Sequence, residues 1–411
     1  MNDILITKGQ GGIGRLSPNE DNIRGLVMNA GAVAPSGLAL NTVKLLLTLK
    51  DAEDVGIDQA YDTANVVLCY YHIKEFFAES PSGKLWIYLV PQATTLTQMA
   101  DGTAGTPCPV MKLALATNGE VKQYGIARNP DIAYVPVITN GIDADVTSAI
   151  PKAQILMDIL FANHMPSDIV IEGRGFSGSA GTLTNFRSLA SDNVRVVFAQ
   201  DLDIATPATN AVIKAHAAVG TYLGTSSKAK VSDNIGWVER YNVSSLAFGR
   251  WLNVGLSSNT AISTFTAVDL NTLNTKGCIF LRKFVGETGA YWNDSHSCTL
   301  ITSDYAYAEN VLVINKAVRG VYKALLPKVN SPVKVNADGQ LSSEVIASFE
   351  STGNRPLDTM LINEEISAKD IYIDPLQNIV VTSKLKAKIS LVSISTARNI
   401  EVEIGYAVSV D

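Results

Sequence analysis

Apolar and polar residues follow two different periods along this chain, and the switch between them divides it. From residue 25 to about 285, short apolar runs alternate with longer amphipathic stretches. The runs 26–29, 43–49, 85–90, 168–172, 194–199 and 278–284 predict strands. The stretch 59–78 predicts a helix, with Tyr61, Ala64, Leu68, Tyr71 and Phe76 near helical spacing. Pro151 predicts the start of a helix over 152–162, because its fixed φ suits the first helical position. A third helix is expected over 210–223. Strands alternating with helices predict a layered, mostly parallel α/β sheet.

The pattern changes after residue 300. A long helix is expected over 305–326, stopped by Pro327, then a short strand over 333–338 with a turn at Gly339. Ser342 is a suitable N-cap for a helix over 343–350. The last part reads as α+β. Residues 384–391 and 400–410 alternate with period two, which places one apolar face on a sheet. A hairpin turning at 396–398 is the simple reading. Residues 1–24 form a separate unit: a short strand over 3–8, then Gly9, Gly11, Gly12 and Gly14, then Pro18 and a polar stretch, together an extended arm. The expected domains are therefore 1–24 (arm), 25–275 (α/β), 276–398 (α+β) and 399–411 (terminal strand).

Composition narrows the function classes. The 411 residues are 46% hydrophobic and 18% charged, enough for large cores and too apolar for disorder. That length suits two to three domains, or one large domain with insertions. The low charge also suggests surface buried between subunits. A net charge of −6 argues against a general nucleic-acid binder. Cys69, Cys108, Cys278 and Cys298 have no CxxC spacing and read as buried thiols of a reducing compartment. Met1-Asn2-Asp3-Ile4 lacks the basic start of a signal peptide, and no apolar run is long enough to span a bilayer. A protein made in the cytoplasm, with no direct membrane insertion, is expected.

Few segments offer chemistry. Two match G-x-G-x-x-G. Gly9–Gly14 is followed by Arg15-Leu16-Ser17-Pro18, a poor helix start for a dinucleotide site. Gly173–Gly178 follows an expected strand, and Asp201 ends the next one, so a nucleotide-binding α/β enzyme is the alternative reading. The bulky Arg174 and Phe176 inside that loop count against it. Gly175-Phe176-Ser177-Gly178-Ser179 falls one residue short of a nucleophile elbow. Its histidine partner would have to be His216 or His296. Asp294, His296 and Cys298 alternate along an extended segment, three ligand types without a fourth nearby. His216 reads as a packed histidine in an apolar helix. No catalytic, metal or cofactor-binding residue is assigned on this reading.

The helix over 305–326 is the most informative segment. Val311, Ile314, Val318, Val321, Tyr322 and Leu325 share a face, and Lys316, Arg319 and Lys323 share an adjacent one. Like charges stacked this way are mildly repulsive, and an anionic partner would neutralise them. The run from Gly286-Glu287-Thr288-Gly289-Ala290-Tyr291-Trp292-Asn293-Asp294 into Glu309-Asn310-Val311-Leu312-Val313-Ile314-Asn315-Lys316-Ala317-Val318-Arg319 resembles the C-terminal region of contractile tail-sheath proteins. It departs at Leu312, where that family commonly has Arg, and at Asn315, where it commonly has Asp. Residues 13–21 and 215–224 are similar to the N-terminal stretch and the domain-closing helix of a sheath-like group of phages.

The resemblance implies an architecture and a function. The 25–275 domain would be the outer part and 276–398 the inner domain, with terminal strands exchanged between subunits. Ile4 and Ile6 would pair at one end, and Val402, Ile404, Tyr406 and Val408 at the other. Lys316, Arg319 and Lys323 would face an acidic inner tube. The implied product is a helical homo-oligomer of hexameric rings around a tail tube protein, bounded by baseplate and tail terminator proteins. It would contract to drive the tube through a cell envelope without consuming nucleotide. The implied localisation is the tail of a virion, assembled in the host cytoplasm. Another tail or baseplate structural protein with a related core is the remaining alternative.

Overall fold

Strand β1 (Ile23–Ala30) forms the middle of a six-stranded sheet because all eight of its residues are buried, the burial expected of a strand covered on both faces. The computed structural model describes residues 20–31 and 37–406. The other strands are β2 (Val43–Leu46), β3 (Lys84–Pro91), β4 (Gln123–Ala127), β5 (Asp168–Glu172) and β6 (Val194–Val197). Their order is β2-β3-β1-β4-β5-β6, parallel throughout except for the antiparallel edge pair β2/β3. Leu26 lies opposite Ile87 on one side and Gly125 on the other, and Ile171 links Ile126 to Val196. Beyond β6, Ile279 bridges Val197 in parallel.

Helices cover the sheet. Helix α1 (Cys69–Glu79) and helix α3 (Val219–Lys228) pack on each other and on the sheet; helix α2 (Ala144–Ala162) lies against β5. In α3 the nine residues from Val219 to Ser227 are all buried. Its two glycines face α1: a Cβ on Gly220 would lie 2.2 Å from the His72 carbonyl oxygen, and one on Gly224 would lie 2.7 Å from that of Phe76. Gly125 of β4 likewise leaves room for Leu223 and Val219. Within α3, the buried Thr225 hydroxyl donates to the Thr221 carbonyl at 2.9 Å and accepts from the Trp292 indole at 3.1 Å.

The described residues divide into two compact units. One runs to Val231 and resumes over Ile235–Arg319; the other comprises Ser232–Asn234 and the chain from Gly320 onward. Within the second unit, helix α5 (Ser343–Ile362) packs on an antiparallel hairpin of β7 (Ile366–Ile373) and β8 (Ala387–Ser393). Leu341, Leu357, Met360, Ile366 and Ile373 are buried there. Lys369 pairs with Asp358 at 2.7 Å. The division falls within helix α4 (Ala308–Leu325), whereas the sequence places a boundary at 276.

The α/β class and the parallel-dominated sheet match expectation, and four local expectations need correction. The helix over 59–78 breaks at Val66, in the left-handed region at φ 54°, and Asp62 turns back to accept the Tyr70 and Tyr71 amides at 3.0 Å each. Pro151 lies inside α2, which starts at Ala144 with Asp143 as its N-cap. The helix over 210–223 is interrupted after Lys214, where Glu172 accepts the Ala217 amide at 2.9 Å and the Gln200 side-chain amide donates to the Lys214 and His216 carbonyls. Residues 387–393 pair with 366–373, and the described residues 400–406 form no strand, so the expected hairpin turning at 396–398 is replaced by the 366–373 pairing. The partner strand β7 is the one that helix α5 packs on, and alternation in β8 specifies a face and not which strand it pairs with.

Candidate functional site

An open parallel sheet binds ligands beyond the carboxyl ends of its strands, where strand order reverses. Here the reversal flanks β1, and protein fills the crevice. Asn29, fully buried at the end of β1, donates to the Pro91 and Thr94 carbonyls at 2.7 and 2.8 Å and accepts the Asn129 amide at 3.1 Å. Asn129 returns a bond to the Asn29 carbonyl at 2.9 Å, and the Cys69 thiol donates to that same oxygen at 3.2 Å.

The adjoining strand ends carry a buried ionic network. Glu172 accepts the backbone amides of Arg128 at 2.6 Å and Ala217 at 2.9 Å, with the Arg174 guanidinium 3.7 Å away. Burial raises the Glu172 pKa, partly offset by Arg174 and these amides. Arg174 also donates to the carbonyls of Arg128 and Val212. Arg128 pairs with Asp145 at 2.8 Å and stacks over Tyr134, whose hydroxyl donates to Asp143.

This network decides the Gly173–Gly178 loop. Gly175 and Gly178 have φ of 67° and 84° and make the turn. Arg174 is buried with its guanidinium committed to the Arg128 and Val212 carbonyls beside Glu172, and Phe176 packs edge-on against Phe198. No helix follows until the short turn at Phe186–Ser188, so no run of helical amides points at the loop. Asp201 caps the short helix Leu202–Ala205. Gly9–Gly14 lies outside the described residues. Ser177 is exposed, but its two candidate partners are engaged elsewhere. His216 Nδ1 meets the Ile213 carbonyl at 2.7 Å, and burial lowers its pKa to about 4. His296 is held between Arg187 and Asn274. Burial pushes the Cys298 thiol up to about 12. Among the described residues, no cluster of three His, Cys, Asp or Glu side chains has metal-binding geometry.

The expected assembly residues fall into two groups. Ile4, Ile6 and Val408 lie outside the described residues. Val402, Ile404 and Tyr406 are in a segment with no helix or strand, and all are exposed, Ile404 by 90%. Ile400 is exposed too, so every second residue from 400 to 406 presents an apolar side chain to solvent. On α4, Val311, Leu312, Val313, Asn315 and Ala317 are buried, so its first turns are covered on more than the single face expected. Lys316 and Arg319 are partly buried and meet Asp21 at 2.5 and 3.6 Å; Lys323 is exposed in the last turn. Asp21 escaped the sequence reading because 295 residues separate it from Lys316 and no local pattern marks the pair.

Known structures carry this same fold over almost the whole chain. A subunit of the anti-feeding prophage helical sheath in its contracted state aligns with a TM-score of 0.63 at 12% identity, covering 98% of both chains. A subunit of an extracellular contractile injection system, the PVC sheath complex in its contracted state, aligns at 0.58 with 11% identity, covering 99% of this chain and 98% of that one. The sheath tail protein from Desulfitobacterium hafniense aligns at 0.52 with 9% identity over 95% and 100%. The fold is that of contractile-sheath proteins. In sequence, residues 1–296 match the DUF2586 N-terminal domain and residues 304–411 its C-terminal domain; the chain belongs to the DUF2586 family. No curated protein matches it. No helix among the described residues is long and apolar enough to cross a membrane.

Proposed function

We propose that this chain is the structural subunit of a contractile sheath. The sheath fold across 98% of the chain carries the reading. Subunits stack as sixfold rings in a helix around an inner tube, and collapse of the extended sheath drives the tube through a target envelope. Baseplate and terminator proteins bound the polymer at its ends. In a phage the sheath belongs to the tail of the virion, assembled in the host cytoplasm, and genome ejection follows tube penetration. The filled crevice at the sheet's carboxyl edge favours this reading over a nucleotide-dependent enzyme.

The arms keep the polymer joined while it shortens. The alternating segment 400–410 offers main-chain groups and an apolar face, which strand addition to a neighbour would bury. Ile4 and Ile6 serve the same purpose at the other end, with Gly9–Gly14 as hinge. The 25–275 domain lies outward, and 276–398 lines the tube through Lys316, Arg319 and Lys323. Exposed ion pairs are each worth about 0–1 kcal/mol, so they release readily while repetition makes their sum useful. Negative-stain microscopy of the purified protein tests the proposal. Tubes or ring stacks are expected. A monodisperse monomer that binds NAD or ATP at low concentration overturns it.

A further inference from the structure

Among the described residues, the root of the N-terminal segment is fastened at three places. The turn Glu20–Asn22 precedes β1, and the Asp21 carbonyl accepts the guanidinium of Arg24, which also donates to the Ser226 carbonyl at 2.7 Å. The Asn22 backbone carbonyl accepts the Ser227 hydroxyl at 3.0 Å, and the Asn22 side-chain amide donates to the Ser82 carbonyl at 3.1 Å. The third attachment is ionic. The Asp21 carboxylate lies 2.5 Å from Lys316 Nζ and 3.6 Å from Arg319 Nη2. Arg319 also donates to the Pro166 carbonyl at 3.0 Å.

These three side chains are only 16–21% exposed, so salt screens them less than surface charges. Lys316 and Arg319 are i,i+3 neighbours on α4 and repel each other. One carboxylate set between them relieves that repulsion. Two of the three cations assigned to the basic stripe thus have an internal anion, supplied by the residue at which the N-terminal segment joins the sheet.

We propose that Asp21 is an intramolecular occupant of the basic stripe, so that an acidic protein surface and the root of the N-terminal segment compete for Lys316 and Arg319. The inference rests on the reading of the stripe as a surface for an acidic partner. Carboxylates are the matching chemistry, because a single Asp carboxylate already meets both cations. When an acidic partner takes the stripe, Asp21 is displaced and the start of β1 loses its ionic attachment. The coupling is reciprocal: removing the Asp21 charge strengthens binding of the acidic partner. Subunits docked on a tube would therefore present loosened N-terminal roots to their neighbours, and undocked subunits would keep them fastened.

The test uses the full chain and fluorescein-labelled poly-L-glutamate, with affinity read by anisotropy at low ionic strength. Asp21→Asn should bind at least about threefold tighter than wild type. Asp21→Glu should match wild type, and Lys316→Gln with Arg319→Gln should lose binding. Hydrogen exchange of the wild-type amides over 21–24 should speed up when the probe binds. If the stripe variant loses binding while Asp21→Asn binds like wild type and exchange is unchanged, the latch is overturned and the stripe reading stands. If the stripe variant binds like wild type, both are overturned. If Asp21→Asn fails to fold, the exchange measurement on wild type decides.

Discussion

Gly220 and Gly224 let helices α1 and α3 meet backbone to backbone, and neither has a positive φ that would otherwise call for glycine. Close approach is the whole requirement. Gly220→Ala should destabilise the fold by about 1–3 kcal/mol, the usual cost of overpacking, read from the urea midpoint. Gly181→Ala, where a Cβ meets nothing within 4 Å, serves as the neutral control. His72 on the facing helix accepts the Gly220 amide at 3.3 Å, and burial holds its pKa near 3, against 6.5 for the free group. The unfolded chain therefore binds more protons between those values. The histidine's contribution is intact above pH 6.5 and lost as pH falls toward 3, by at most about 1.4 kcal/mol per pH unit. Asp62 and Asp201, raised to about 7 by burial, act in the opposite sense. The histidine effect is thus a difference: a His72→Gln variant should lose less stability than wild type between pH 6.5 and 4.5.

Buried charge is the other residue-scale feature. Arg174→Met leaves Glu172 without its closest cation, at a cost of about 3 kcal/mol. Adding Glu172→Gln should recover part of that loss, seen as a coupling of about 1 kcal/mol or more in a double-mutant cycle. An absent coupling would mean that the backbone amides of Arg128 and Ala217 hold Glu172 by themselves.

Elements were legible in the sequence where burial repeats with one period. Strands β1, β3 and β5 are continuous apolar runs, and α4 shows a helical stripe; these lie within a few residues of expectation. Breaks were not legible, because side-chain bonds to backbone amides cause them and no periodicity marks those bonds. Asp62 ends one helix by capping the next, and Glu172 interrupts another from a strand 45 residues away. The terminal segment was legible as a period-two stretch but not in its pairing, because alternation specifies a face and leaves the partner open. The described part of 399–411 is exposed and joined to no other described segment by a backbone bond. Deleting 399–411 should therefore leave the thermal midpoint unchanged and abolish long polymers, as sedimentation and microscopy would report. A truncated chain that still polymerises normally would remove the arm from the proposal.

At the scale of the molecule, the amino-acid sequence by itself determined the α/β class, the helix with its basic stripe, and a likeness to sheath proteins carried by residues near the start, middle and end. Those are local features: periodicity, spacing and composition survive without knowledge of any contact. Only the tertiary structure decided what fills the sheet's carboxyl edge and what meets the stripe. The glycine loop at 173–178 has spacing compatible with a nucleotide, yet its Arg174 and Phe176 side chains are buried and engaged with protein partners. Lys316 and Arg319 read as an open cationic face, yet Asp21 reaches them from the other end of the chain. Both outcomes depend on side chains brought together across long separations, where the free energy of desolvated charges, and not any pattern in the sequence, selects the partner.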